Sequence, residues 1–210
     1  MRRLRTFLRD QGGGPAAEFA LVLPIALLFL FGIIDVGRFM WEYNRAEKAT
    51  QMGARFAAVT DMVPSGLAGY SFARQCGIVQ GDPVPVSAFP GMNCAGGGSI
   101  ASPTASCTLS GASSCSLPTS ASGAALGAIA ARMQAFKSDI TPSNVTVAYA
   151  YSGLGFSGDP NGSNVAPLVT VRLTGLTFTP ISTQVFNINT PMPDFSYSLT
   201  MEDGAGTASN

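Results

Sequence analysis

An apolar run near the N-terminus constrains this chain more than any other feature. It occupies residues 12–34, GGGPAAEFALVLPIALLFLFGII, and Glu18 is the only ionisable residue in it. A helix over residues 16–34 would be roughly 29 Å long at about 1.5 Å per residue, which matches the hydrocarbon core of a bilayer. The sequence therefore predicts a transmembrane helix. Glu18 needs an explanation, because a carboxylate inserted fully into the membrane costs about 2.5–3.5 kcal/mol.

The glycines before the run suggest why Glu18 is there. Cleavage between Gly13 and Gly14 would make Glu18 the fifth residue of the mature chain and Phe19 the sixth. This arrangement resembles the processing site of type IV prepilins, in particular the glycine, glutamate and aromatic signature of Flp/Tad pilins and pseudopilins. Cleavage after Gly14 would place Glu18 fourth, so we prefer the bond after Gly13. Pro15, just after the cut, departs from the pattern.

The resemblance extends to about residue 60, where order and spacing are similar to the N-terminal domain of TadE-like pseudopilins. The residues that carry it are Glu18, Phe19, Ala20, Pro24, Gly32, Asp35, Gly37, Arg38, Gly53, Ala54 and Arg55. It implies a minor pseudopilin of a Tad/Flp-type pilus assembly system, a single-pass protein of the bacterial inner membrane. Its implied partners are a membrane aspartic prepilin peptidase, other Tad pilins and pseudopilins, and the Tad assembly machinery. The resemblance implies the substrate of an enzyme, not an enzyme, and no cofactor.

Two other functions remain open at this point. The first is a stably anchored periplasmic binding or adhesion domain that never enters a filament. The second is a hydrolase released by signal peptidase, although no small-x-small cleavage site follows Ile34 and the chain has no histidine. The sequence also leaves open a place in the pilus shaft, at its tip or at its base.

Charge predicts the orientation of the helix. The segment before the apolar run contains four basic residues, Arg2, Arg3, Arg5 and Arg9, and a single acidic residue, Asp10. The positive-inside rule therefore places the N-terminus in the cytoplasm and the C-terminal domain in the periplasm, or outside the cell with the pilus. The residues behind Arg2 and Arg3 do not support a twin-arginine signal. Zero formal net charge and 11% charged residues argue against nucleic-acid binding.

Past the apolar run we expect the same helix to continue to about Ala58, because no proline interrupts residues 35–58. Charges of alternating sign follow at spacings of three or four, which indicates a solvated or subunit-facing ladder of Asp35, Arg38, Glu42 and Arg45. Small residues continue this stripe as Ala46, Thr50, Gly53 and Ala57. They allow close approach, either of the chain's own domain or of neighbouring subunits.

Residues 61–122 are rich in Gly, Ser and Pro and lack periodicity, which predicts a long loop region. It contains all four cysteines, Cys76, Cys94, Cys107 and Cys115, so we expect two disulfides. Sequential pairing, Cys76 with Cys94 and Cys107 with Cys115, closes the shortest loops and is preferred. A zinc site is disfavoured because the chain has neither a histidine nor a C-x-x-C pair.

The last third predicts regular structure. Ser122 is a plausible N-cap of a helix that carries Leu126, Ile129, Met133, Phe136 and Ile140 on one face and ends near Lys137, before Pro142. Alternating patterns then predict strands over residues 145–151, 169–173 and 195–202, the second continuing to Leu176 and Phe178 through a β-bulge at Gly175.

Together these patterns predict an α+β fold, in which a long N-terminal transmembrane helix continues into a pilin-like periplasmic domain with a second helix and a small antiparallel sheet. The expected segments are a cytoplasmic leader (1–13), the transmembrane helix (14–40), its periplasmic continuation (41–60), a disulfide-stapled loop region (61–122), the helix with the sheet (123–203) and a flexible tail (204–210). Neither a P-loop nor a G-x-S-x-G motif is present in the sequence. The calcium-like stretch 159–164 has one carboxylate and is interpreted as a plain turn.

Overall fold

The N-terminal helix continues well past its apolar part. In the computed structural model, which describes residues 14–160, 162–182 and 188–204, helix α1 spans Gly14–Ala58. Pro24 lies inside it, and its missing N–H costs the helix one hydrogen bond without ending it. The expected leader 1–13, with Gly13, and residues 205–210 of the expected tail lie outside the described residues.

The chain divides into two compact units. One consists of Met1–Trp41 and Phe178–Thr190, and the other of Glu42–Thr177 and Pro191–Asn210. The first contains the apolar part of α1. The second contains the main sheet, the second long helix and all four cysteines.

A five-stranded antiparallel sheet forms the framework of the second unit, with strand order β2-β1-β3-β4-β7. Its strands are β1 (Met92–Gly98), β2 (Pro103–Leu109), β3 (Val145–Ala150), β4 (Leu168–Leu173) and β7 (Phe195–Thr200), while β5 (Thr177–Phe178) and β6 (Thr190–Pro191) form a separate two-stranded sheet. Helices α2 (Phe72–Cys76) and α3 (Gly123–Gln134) and a 3₁₀ turn, Pro142–Asn144, complete the described elements. The predicted α+β class with an antiparallel sheet is confirmed.

Alternation along the strands places one face of the sheet in the core. In β3, Val145, Val147 and Tyr149 are buried, and their neighbours Thr146 and Ala148 are only partly so. Tyr149 is fully buried, and its hydroxyl oxygen accepts the N–H of Val63 at 2.9 Å. Burial raises the pKa of Tyr149, because the phenolate would lose its hydration.

The small-residue stripe of α1 packs inside this unit. Ala46, Thr50 and Ala57 are at most 1% exposed, and a Cβ on Gly53 would lie 2.7 Å from Met133 Cγ and 3.5 Å from Val171 Cγ1. Glycine at position 53 therefore lets α1 approach α3 and β4 closely. Of the two expectations for the stripe, packing against the chain's own domain is what these contacts show.

Helix α3 begins as predicted and ends earlier. The Ser122 hydroxyl accepts the N–H of Ala125 at 3.1 Å, which confirms the N-cap. The helix ends at Gln134, with Ala135 as its C-cap, so Lys137 and Ile140 lie beyond it rather than in its last turn. The apolar periodicity persists past the end because the following turn packs on the same core, where Ile140 is fully buried.

The prediction of a loop over residues 61–122 was wrong in its centre. Strands β1 and β2 lie there and extend the sheet by an edge hairpin. Their small residues carry little strand propensity, but they fit the site: a Cβ on Gly96 would collide with the carbonyl oxygen of Pro142 and with Leu126. The same residues that resemble a loop in the sequence permit this close packing.

The predicted β-bulge at Gly175 is also wrong. Strand β4 ends at Leu173, and Gly175 has φ +72°, a left-handed conformation that glycine adopts without strain. Thr177 and Phe178 then belong to the two-stranded sheet with β6.

The disulfides pair differently from the sequential prediction. Cys94 is bonded to Cys107, with 4.1 Å between their Cα atoms, and Cys76 is bonded to Cys115. Cys94 and Cys107 face each other in the antiparallel register of β1 and β2. The shortest-loop argument failed because the hairpin, which it did not include, decides which sulfurs meet.

Candidate membrane-anchoring and assembly site

The apolar part of α1 is exposed on every side. Leu21 is 76% exposed, Val22 60% and Leu27 39%, and at 3.6 residues per turn these side chains point in different directions around the helix. A helix that is apolar all round requires either a protein core or a bilayer. Only 6% of its most apolar stretch is buried, so this segment is not the core helix of a folded domain. Among the described residues, α1 is the one helix long and apolar enough to span a membrane.

Three of the four candidate processing residues, Gly14, Glu18 and Phe19, lie in the first described turns of this helix. Gly14 is the first described residue of the helix, and a Cβ there would meet nothing within 4 Å. Glu18 and Phe19 follow one turn later and are both exposed. Gly13 lies outside the described residues, so the scissile bond itself stays a prediction.

Asp35 begins the charged part of α1, and it is buried instead of solvated. Its carboxylate oxygens accept the backbone N–H groups of Ile181 at 2.7 Å and Ser182 at 2.9 Å. Arg38 Nη1 lies 3.4 Å from Asp35 Oδ1, and the Arg38 guanidinium lies 5.4 Å from the centre of the Phe178 ring. Asp35 therefore fixes a loop of its own compact unit.

Glu42 and Arg45 form a separate cluster in the other unit. Glu42 accepts hydrogen bonds from Lys137 Nζ at 2.6 Å and from Arg45 Nη1 at 3.2 Å, and Arg45 Nε donates to the Phe136 carbonyl at 2.8 Å. Lys137 Nζ also lies 3.0 Å from Asp139 Oδ2. The predicted ladder thus separates into two groups, each with partners far away in sequence.

Sequence reasoning missed both sets of partners. Lys137 marks the end of a helix in the sequence interpretation, but its position on the apolar face between Met133 and Ile140 is a usable signal of a buried ion pair. Nothing in the sequence indicates Ile181 and Ser182, because they contribute backbone N–H groups, which every residue except proline has.

The remaining candidate for ligand binding has a structural role. Asn164 Oδ1 accepts the N–H groups of Phe72 and Gly158, each at 3.0 Å, so this side chain joins its own loop to the start of α2 and to the loop at Gly158. Within the described residues, no group of three or more His, Cys, Asp or Glu side chains could hold a metal ion. Asn161, in the calcium-like stretch of the sequence, lies outside them.

The described residues contain one helix that could span a bilayer and a disulfide-bonded α+β domain, which is consistent with a single-pass membrane protein. A family model described as TadE-like protein matches residues 13–55, which is most of α1 with the candidate processing residues, and the chain is consistent with a TadE-like protein. The match suggests a Tad pilus-related protein associated with the Tad pilus machinery, and this pilus assembly family is not an enzyme family. No curated protein and no solved structure shows significant similarity to the chain.

Proposed function

We propose that this chain is a minor pseudopilin of a Tad/Flp-type pilus assembly system. The observation that carries the proposal is the coincidence of two features in one segment: the family match over residues 13–55, and a helix whose apolar surface is exposed on all sides with Glu18 as its only charge before Asp35. An ordinary membrane anchor needs the apolar surface but has no use for the glycine and glutamate at its start.

In this proposal α1 has two successive roles, one in the membrane and one in the assembled filament. In the inner membrane its apolar surface faces lipid, with the N-terminus in the cytoplasm and the disulfide-bonded domain in the periplasm. After a membrane aspartic prepilin peptidase removes residues 1–13, the same surface packs against the helices of other Tad pilins or pseudopilins. The exposure of Leu21, Ile25 and Phe29 supports this double use, since none of them is committed to the protein's own core.

The decisive experiment is an intact-mass measurement of membrane-extracted protein from cells with and without prepilin peptidase. We expect the mass of residues 1–13 to be lost only when the peptidase is present. Gly13→Val should block the loss, because the peptidase must admit the backbone before the bond, and glycine presents no side chain there.

Gly12→Val is the matched control and should be processed normally. If Gly14→Val blocks processing and Gly13→Val does not, the bond lies one residue later. An unprocessed mass in peptidase-positive cells would instead favour the anchored periplasmic binding or adhesion domain.

A further inference from the structure

Residues 178–182 pack on α1 at the point where its uncharged run ends. Asp35 is the first charged residue after that run, and its carboxylate holds the backbone N–H groups of Ile181 and Ser182 at 2.7 and 2.9 Å. The Phe178 ring lies edge-on to the Phe39 ring, with 5.5 Å between their centres. The segment and Met1–Trp41 belong to the same compact unit.

The side chains that this segment presents are apolar. Ile181 is 38% exposed and Ile188, a few residues on, is 53% exposed. On the helix, Ile34, Val36 and Trp41 are also exposed, the tryptophan by 67%. The sequence contains no Asp, Glu, Lys or Arg from residue 173 to residue 193.

The position of Asp35 fixes the depth of the segment. A helix rises about 1.5 Å per residue, so Asp35 lies immediately beyond Ile34 along the axis. The headgroup region adds about 5–7 Å on each side of the hydrocarbon core. Backbone groups bonded directly to the Asp35 carboxylate therefore lie at the depth of this region if residues 14–34 span the bilayer.

The chemistry of the segment suits that depth. Two of its backbone N–H groups, which would be costly to leave unpaired near lipid, are already bonded to Asp35, and in return they satisfy a carboxylate that would otherwise need water. Exposed isoleucines gain free energy by leaving water, and tryptophan is enriched at the membrane interface. Because the segment has no charged side chain, it can approach the boundary between headgroups and acyl chains without moving a charge out of water.

We propose that residues 178–182 and Ile188 form a second membrane contact, which lies in the interface of the same bilayer that α1 spans. The partner is lipid and not a second protein chain, because the hydrogen bonds to Asp35 hold Ile181 at the level of its helix neighbours Ile34 and Val36, and the exposed side chains carry no charge that would specify a protein partner. The inference rests on the proposed membrane-spanning role of α1.

The test is tryptophan quenching by brominated lipid in full-length protein reconstituted into vesicles of phosphatidylcholine and phosphatidylglycerol. Trp41 is the only tryptophan, so a Trp41→Phe background removes the native signal. Into this background, Ile181→Trp and Ile188→Trp place a reporter in the segment, and Leu28→Trp places one within the apolar part of α1. We expect lipid brominated near the headgroup to remove about half of the emission of the two segment variants, and lipid brominated near the chain ends to act mainly on the Leu28→Trp variant.

The outcomes distinguish the proposed second membrane contact from the proposed membrane span of α1. If the Leu28→Trp variant is quenched and the two segment variants are not, the second membrane contact is wrong and the membrane span stands. If the Leu28→Trp variant is not quenched, the span itself is wrong. Segment reporters shielded from both bromolipid and aqueous acrylamide would show that a protein chain covers them, which also overturns the inference. Unchanged urea unfolding midpoints show that the substitutions leave the fold intact.

Discussion

At the residue scale, Glu18 separates processing from assembly. Processing would create a new α-amino group at Gly14, about one helical turn before Glu18. An uncompensated charge is costly once packed helices exclude water, and the Glu18 carboxylate can neutralise the amine of its own or an adjacent subunit.

We expect Glu18→Ala to be processed normally and to assemble poorly, while Glu18→Asp, one methylene shorter, assembles in part. Mature mass and co-purification with pilus components measure the two steps separately. If the processed Ala variant co-purifies like wild type, Glu18 has no role between subunits. Its contribution is then the favourable interaction of a carboxylate with the helix dipole, about 0.3–1 kcal/mol.

A second residue-scale prediction concerns Gly53. Leucine there would push into Met133, whose Cγ and Sδ lie 2.7 and 2.8 Å from the added Cβ. Overpacking costs about 1–3 kcal/mol or more, whereas replacing glycine in a helix returns up to about 1 kcal/mol. Steric cost should win, so we expect Gly53→Leu to lower the free energy of unfolding by about 2 kcal/mol in urea titrations.

The control for Gly53 is a double-mutant cycle. Met133→Ala alone should destabilise by opening a cavity, and combined with Gly53→Leu it should cost less than the sum of the two single changes. Strict additivity would mean that the two side chains do not compete for the same space.

At the element scale, a buried ion cluster joins the second half of α1 to the turn after α3. The Lys137 side chain is 4% exposed, against 26% for Glu42 and 53% for Asp139. Removing one partner of a buried pair is costly mainly because the other charge stays buried. The three side chains should therefore respond unequally to substitution.

We expect Glu42→Met to destabilise the domain by at least about 1 kcal/mol more than Lys137→Met. The first change leaves the buried ammonium with Asp139 alone, whereas the second leaves Glu42 with Arg45 and access to water. Urea unfolding of both variants at equal ionic strength makes the comparison. Equal losses, or a larger loss for Lys137→Met, would show that packing of the lysine stem matters more than its charge.

At the scale of the whole molecule, the disulfides report on topology. If Arg2 to Arg9 keep the N-terminus in the cytoplasm, all four cysteines reach the oxidising side of the membrane. We expect thiol labelling of denatured, non-reduced protein to find no free cysteine. Peptide mapping should then give Cys76 with Cys115 and Cys94 with Cys107. Full labelling would indicate the opposite orientation, and a Cys76–Cys94 peptide would contradict the hairpin register.

The sequence by itself determined the features that depend on local order. A run of apolar residues of membrane length, an N-cap serine before an apolar helical face, and alternation in β3 and β7 each act over a few neighbouring residues. They therefore predicted α1, the start of α3 and an α+β fold with an antiparallel sheet. The candidate processing residues rest on the resemblance to type IV prepilins and stay a prediction.

Only the tertiary structure decided what depends on distant partners. Strands β1 and β2 consist of small residues whose pairing is stabilised by backbone hydrogen bonds and close packing, which leave no period in the sequence. The register of that hairpin, not loop length, chose the disulfide partners. In the sequence, Asp35 and Glu42 belong to one charged stripe, because helical spacing is visible there. The backbone N–H groups of residues 181 and 182 reach Asp35, and the buried Lys137 reaches Glu42, only after the chain has folded.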